Sequence, residues 1–321
     1  MNNISDILKW IRSHLGHFFL LVLSSLVFLF LLFPFDDLSD FVTSQIAKVT
    51  GGRVFLQFDH FSVSPLGPKA EFDRVVVEAQ GLPSIRTQFL SIAPSFTSIL
   101  NKQPHGTIEA RGFLKGDVEL KFKGGAKTEK GEPRHTIELS ASKISLKEIK
   151  DLANLPLPLK GQIHLQASSL TDLTFVEQPE AELTLVIDQF ELPGGNITTA
   201  MAGSLNVPEI KFKQLELKGR LTGGRFFIDS GKLGDAKDEL NGTIKGDMQL
   251  QLLNMNNTIV PQFGAYNFSV DLKAKKSFQE KANLFLVFID SYKANTTDGA
   301  QYKFKLSGTS FYGPPNISSM Q

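Results

Sequence analysis

From Arg53 onward the chain alternates apolar and polar residues with a period of two. "DVELKFK" puts Val118, Leu120 and Phe122 on one face, and Asp117, Glu119, Lys121 and Lys123 on the other. "HTIELSAS" does the same with Ile137, Leu139 and Ala141, and "RVFLQF", "AEFDRVVVEA", "QIHLQAS", "AELTLVID", "DMQLQLL", "YNFSVDLKA" and "YKFKLSG" repeat the pattern. Such alternation predicts strands with one buried and one wet face. Roughly fifteen segments of this kind follow one another, separated by Gly, Pro, Asn and Asp. The apolar run Ala282–Ile289 is also strand-sized.

Three stretches break the period. Leu38, Phe41, Val42, Gln45, Ile46 and Val49 fall at helical spacing, with Gly51-Gly52 as a stop. This amphipathic helix either lids the following sheet or lies on a membrane surface. Ser95–Asn101, after Pro94, predicts a second helix. Ser145–Leu152 predicts a third, with Ser145 and Glu148 in capping-box spacing and Leu146, Ile149 and Leu152 along one side.

Leu15–Phe35 carries no formal charge, with His17 its only titratable side chain and Ser24-Ser25 inside the run. A helix of that length spans roughly 30 Å, the thickness of a hydrocarbon core. A cleavable signal would have a shorter apolar stretch and a small-x-small site. Here the run ends in Phe33-Pro34-Phe35-Asp36-Asp37, so an uncleaved anchor is expected, with Leu20, Phe28 and Leu32 among its anchoring residues. Lys9 and Arg12 precede the run and Asp36, Asp37 and Asp40 follow it, which orients the N-terminus to the cytoplasm. The expected organisation is a cytoplasmic segment 1–14, an anchor 15–35 and an extracytoplasmic β-rich domain 36–321.

The absence of cysteine excludes disulfides, thiolate metal sites and a thiol nucleophile, and favours a bacterial periplasm over a eukaryotic exterior. A net charge of +1 gives no argument for nucleic acid. The six histidines form no H-x-x-x-H pair, and there is neither a Gly-x-Ser-x-Gly elbow nor a Walker lysine motif. The expectation is a protein without enzymatic activity, cofactor or metal. A site dispersed over loops is the weakest of the alternatives.

Phenylalanine is abundant, at 27 residues against one Trp and four Tyr, and it suits a dry surface. With few helices to cover the sheet, it either closes as a sandwich or curls into an open trough. Phe55, Phe72, Val118, Leu120, Phe226, Leu250 and Phe268 are the candidates for the apolar inner face. Phe41 and Ile46 are expected to seat the helix. Each of these residues has ordinary core packing as its alternative.

An anchor ending in Pro leads to "TGGRVFLQFDHFSVSPLGPKAEFDRVVVE" and then to "PSFTSILNKQ". The later stretches "ASKISLKEIKDLANLPLPLKGQIHLQASSL", "LKGRLTGGRFFIDSGKLGDAKDELNGTIKGDMQLQL" and "YKFKLSGTSFYGPP" continue in the same manner. Together they resemble the AsmA-like superfamily and, within it, the longer form of the type II secretion system protein N family. The resemblance covers most of the chain as a pattern of anchor, strands and glycines, without a catalytic box. It implies a mainly β fold: a transmembrane helix, then an elongated, curled antiparallel sheet with a few short helices. It also implies a single-pass inner-membrane component of the type II secretion machine, contacting other secretion subunits in the periplasm. The alternative that it implies is an AsmA-like envelope protein that binds or transfers phospholipid.

Overall fold

The computed structural model describes residues 16–25, 27–29, 32–64, 67, 69–79, 83–95, 105–127, 133–153, 155, 157–172, 175, 177–199, 203–255, 258–310 and 313–320. Of the expected helix Ser95–Asn101, all but Ser95 lies outside these residues. Within the expected anchor, residues 16–25, 27–29 and 32 are helical. A 3-10 turn, Phe35–Leu38, follows. Among the described residues no helix is long and apolar enough to cross a membrane.

The rest is mainly β. The chain runs through β1 (Val54–Gln57), β2 (His60–Val63), β3 (Ala70–Ala79), β4 (Ile85–Pro94), β5 (Gly106–Phe113) and β6 (Gly116–Lys127). It continues through β7 (Pro133–Ser145), β8 (Lys160–Asp172), β9 (Glu180–Leu192), β10 (Gly195–Thr199), β11 (Gly203–Val207) and β12 (Ile210–Thr222). Last come β13 (Arg225–Leu233), β14 (Leu240–Met255), β15 (Thr258–Lys275), β16 (Lys293–Thr296), β17 (Gly299–Gly308) and β18 (Asn316–Ser319). All but β10 and β11 join one antiparallel sheet in the order β1-β3-β4-β5-β6-β7-β8-β9-β12-β13-β14-β15-β17-β16, with β2 beside β3 and β18 beside β17. β10 and β11 form a separate hairpin. From β3 to β15 the strands pair with their neighbours in the sequence, apart from that hairpin. Short turns are enough to build such a meander.

Two buried clusters lie at the two ends of the sheet, and single buried residues such as Ile144, Phe212, Leu221 and Ile228 lie between them. At one end, Leu56, Phe61, Phe72 and Val75 are covered by Leu38, Val42 and Ile46 from the helix Ser39–Val49 and the turn before it. The helix stops where Gly51 and Gly52 take φ of 62° and 73°, a conformation that glycine adopts without strain. At the other end, Val270, Ala274, Ala300, Tyr302 and Phe304 pack against Phe278 and Leu286 of the helices Lys276–Lys281 and Asn283–Leu286 and against Ala282 at the turn between them.

Two local expectations change. Within Ala282–Ile289 the chain is helical from Asn283, continuing as the 3-10 helix Val287–Tyr292, because Phe278, Ala282 and Leu286 are buried at a spacing of four. The helix Leu146–Leu152 forms after Ser145 without any side-chain cap, and Glu148 turns instead to the Lys115 ammonium at 2.7 Å.

Candidate apolar binding face

Residues directly opposite one another in a paired ladder share a face. One row therefore runs across twelve strands: Phe72, Leu90, Ala110, Val118, Ala141, Leu165, Leu185, Leu217, Gly231, Ile244, Val270 and Phe304. Every member is apolar or glycine. At about 4.8 Å per strand the row is roughly 50 Å long. A second row on the same face runs through Ala70, Ile92, Ile108, Leu120, Leu139, Ala167, Leu183, Gly219, Ile228, Gly246, Phe268 and Leu306. The register that lies between them faces the other way and is polar: Glu71, Ser91, Glu109, Glu119, Ser140, Gln166, Thr184, Lys218 and Ser230.

Burial is uneven along the first row, whereas the second has Ile92 37% exposed near one end and Ile228 9% exposed in β13. Phe72, Val270 and Phe304, at the ends, are 3%, 7% and 7% exposed. Val118, Leu120, Leu165, Leu185 and Leu217, in the middle, stay half-buried. At two glycines of this face an aromatic ring takes the place of a side chain: a Cβ on Gly219 would meet the Phe226 ring at 2.6 Å, and one on Gly308 would meet the Tyr266 ring at 2.7 Å. Tyr266 and Phe268 stack at 5.6 Å beside them.

Of the residues expected to line an inner face, Phe72, Val118, Leu120 and Phe268 lie in these two rows. Phe226 lies in the adjacent one, opposite Leu221 and Met248. Leu250, two residues beyond Met248, pairs with Phe263 and is half-buried. Phe55 is a correction. It pairs with Glu78 and is 48% exposed, while its neighbour Leu56 enters the core. Phe41 is likewise 61% exposed, and Val42 joins Ile46 in seating the helix. Leu20, Phe28 and Leu32 are 68%, 61% and 79% exposed, without protein cover.

The opposite face is a lattice of exposed ion pairs, including Lys123–Glu138 at 2.6 Å, Lys218–Glu216 at 2.9 Å and Arg225–Asp247 at 2.6 Å. Lys123 holds the Glu138 carboxyl below its ordinary acidity range, and Lys211 does the same to Glu209, in each case chiefly through a side-chain hydrogen bond. Such carboxylates are kept ionised by lysines and are not acids poised near neutrality. A cleft of 690 Å³ beside β3 and β4 is lined by Arg74–Asp59 and Lys115–Glu148, pairs that already satisfy each other at 2.7 Å. Among the described residues no group of three His, Asp or Glu could hold a metal ion.

One polar feature on the apolar side carried no sequence signal. His135, 6% exposed, pairs with Thr171, which is 3% exposed, at the strand ends beside Arg134. The Arg134 guanidinium meets Glu177 at 2.5 Å, and the His135 Nδ1 has no hydrogen-bond partner among the described residues. A lone histidine in a strand gives no warning of burial, because its partners come from a neighbouring strand.

Comparisons with protein families, with characterised proteins and with solved structures find no match for this chain.

Proposed function

We propose that this chain is a non-enzymatic protein of the bacterial envelope, anchored in the inner membrane by residues 15–35 and working in the periplasm through contacts made by residues 36–321. The observation that supports contact is the apolar row from Phe72 to Phe304, left half-open in its middle while a row of polar residues faces the other way. A face of that kind holds an apolar guest and offers no group for turnover. Exposed apolar residues at 16–32 support the anchor, since lipid is the solvent in which such a surface costs nothing.

The resemblance to the type II secretion system protein N family makes this an accessory component of the secretion machine, bound to its other subunits. The outer edge of β16, exposed along all four residues, is a template for strand pairing with such a subunit. The half-open middle of the apolar face favours a second reading, an AsmA-like protein that carries phospholipid acyl chains. A sheet of this many strands curls, and curling would make the face a trough.

Deletion of the gene in its host, with folded exoenzymes and outer-membrane lipid both followed, separates the two. Exoenzymes trapped in the periplasm behind an intact outer membrane are the expected result for the secretion role. Normal secretion with altered lipid and permeability would overturn it and leave the lipid reading. A photo-crosslinker at Leu185 that captures phospholipid, when one at Thr184 does not, is the matching result for lipid on the apolar face.

A further inference from the structure

We propose that the knuckle Leu284–Phe288 is a contact for an anionic phospholipid surface, at the end of the sheet remote from the N-terminal helix. Phe278, Ala282 and Leu286 fasten this knuckle to the core at 4%, 1% and 9% exposure. Tyr292 closes it from behind by donating its hydroxyl to the Ile317 carbonyl at 2.8 Å. The side chains between these fixed points project outward: Leu284 is 71% exposed, Val287 62% and Phe288 76%. Three large apolar side chains held out by a rigid base are a deliberate surface. Scattered exposed apolar residues would not share one turn.

Size and charge decide the occupant. Three side chains of this kind present about half of the ~800 Å² per partner that a stable protein interface needs. They are enough for shallow insertion between lipid headgroups, where aliphatic and aromatic side chains enter the acyl boundary. The surrounding charge matches an anionic surface. Residues 275–293 hold Lys275, Lys276, Lys281 and Lys293 against Glu280 and Asp290, four cations minus two anions, a net of +2. Lys276 is exposed and in no ion pair among the described residues, Lys281 reaches Glu239 at 2.9 Å, and Lys293 lies 3.7 Å from Asp290. Long lysine stems let the ammonium groups rise to the phosphates while the apolar residues sink.

The knuckle sits at the β15–β17 end, while the chain leaves for its N-terminal helix at the β1–β3 end. The two lipid contacts therefore bracket the apolar face, and this one does not depend on what the face carries.

The test uses the full chain in phosphatidylcholine nanodiscs, which occupy the N-terminal segment, mixed with separate vesicles of phosphatidylglycerol and phosphatidylethanolamine. The nanodiscs are expected to float with the vesicles. The combined variant Leu284→Ser, Val287→Ser, Phe288→Ser, with an unchanged melting temperature, is expected to lose at least about tenfold of that flotation. A Phe288→Trp probe in a Trp10→Phe background is expected to shift its indole emission to the blue on adding vesicles. Failure of the parent protein to float, equal flotation of the triple variant, equal binding to neutral vesicles, or an unshifted emission from the indole probe would each overturn the proposal. Leu185→Asp, which removes lipid from the apolar face, is expected to leave flotation intact, so failure here and failure of the lipid-carrying reading are told apart.

Discussion

Phe72 packs between the rings of Phe58 and Phe61, each 5.0 Å away, and it is 3% exposed. Phe72→Ala is expected to cost about 3–5 kcal/mol in chemical denaturation, because the cavity is walled by neighbouring rings that cannot collapse into it. Phe55→Ala, on the other face, is expected to stay within about 0.5–1 kcal/mol. The contrast rests on Arg74, which takes a φ of 51° within β3 while the register with β4 stays unshifted across it. That kink lets Phe72 and Val75, three residues apart, enter the same cluster. Strict alternation cannot foresee it. In "RVFLQF" three apolar residues stand together, and only the pairing of Leu56 with Val77 decides which of them is buried. Gly219 supplies the opposite case, a residue whose role is visible only against its neighbour. Gly219→Val would drive a Cβ into the Phe226 ring and the Phe227 carbonyl, both at 2.6 Å, and is expected to cost about 1–3 kcal/mol by thermal melting.

At the scale of elements, the two end caps are short helices held by few contacts. The helix Ser39–Val49 has no side-chain N-cap and is fastened through Val42 and Ile46. Ile46→Ala is expected to lower stability by about 2 kcal/mol, with Phe41→Ala close to neutral in the same urea titration. The far cap is tied to the turn before β14 by Lys281, whose ammonium donates to both Glu239 oxygens at 3.1 and 2.9 Å. Lys281 and then Ser277 hold the Glu239 carboxyl below its ordinary value. A carboxylate lowered by folding contributes stability above its unfolded value and loses it as pH falls through the folded one. Melting curves taken from about pH 5 to about pH 3 should therefore fall more steeply in the parent than in Lys281→Ala. The effect is small, because the pair is 44% and 42% exposed and water screens it.

At the scale of the whole molecule, a sheet with buried clusters at its ends and a half-covered middle is not uniformly stable. Native-state hydrogen exchange is expected to show two protected islands, around β1–β4 and β14–β17, with faster exchange in β6–β9. Phospholipid bound to the middle would raise protection there selectively, since a ligand stabilises the state that binds it. Uniform protection with no response to lipid would count against an open, lipid-holding face.

Alternation along single strands determined which residues sit together on the apolar face: Val118 and Leu120 are picked out by their period, because a pleated strand turns its side chains over every residue. Helical spacing determined the element at 39–49 in the same local way. The exact registers, where Arg74 reverses a face, and that both clusters sit at the ends were decided by the tertiary structure. Those features depend on registers between neighbouring strands and on positive-φ residues with no compositional mark. The helical fate of Ala282–Ile289 belongs with them. Its apolar run suits either period, and it became a helix because Phe278, Ala282 and Leu286 had a cluster to fill, leaving Leu284, Val287 and Phe288 outside.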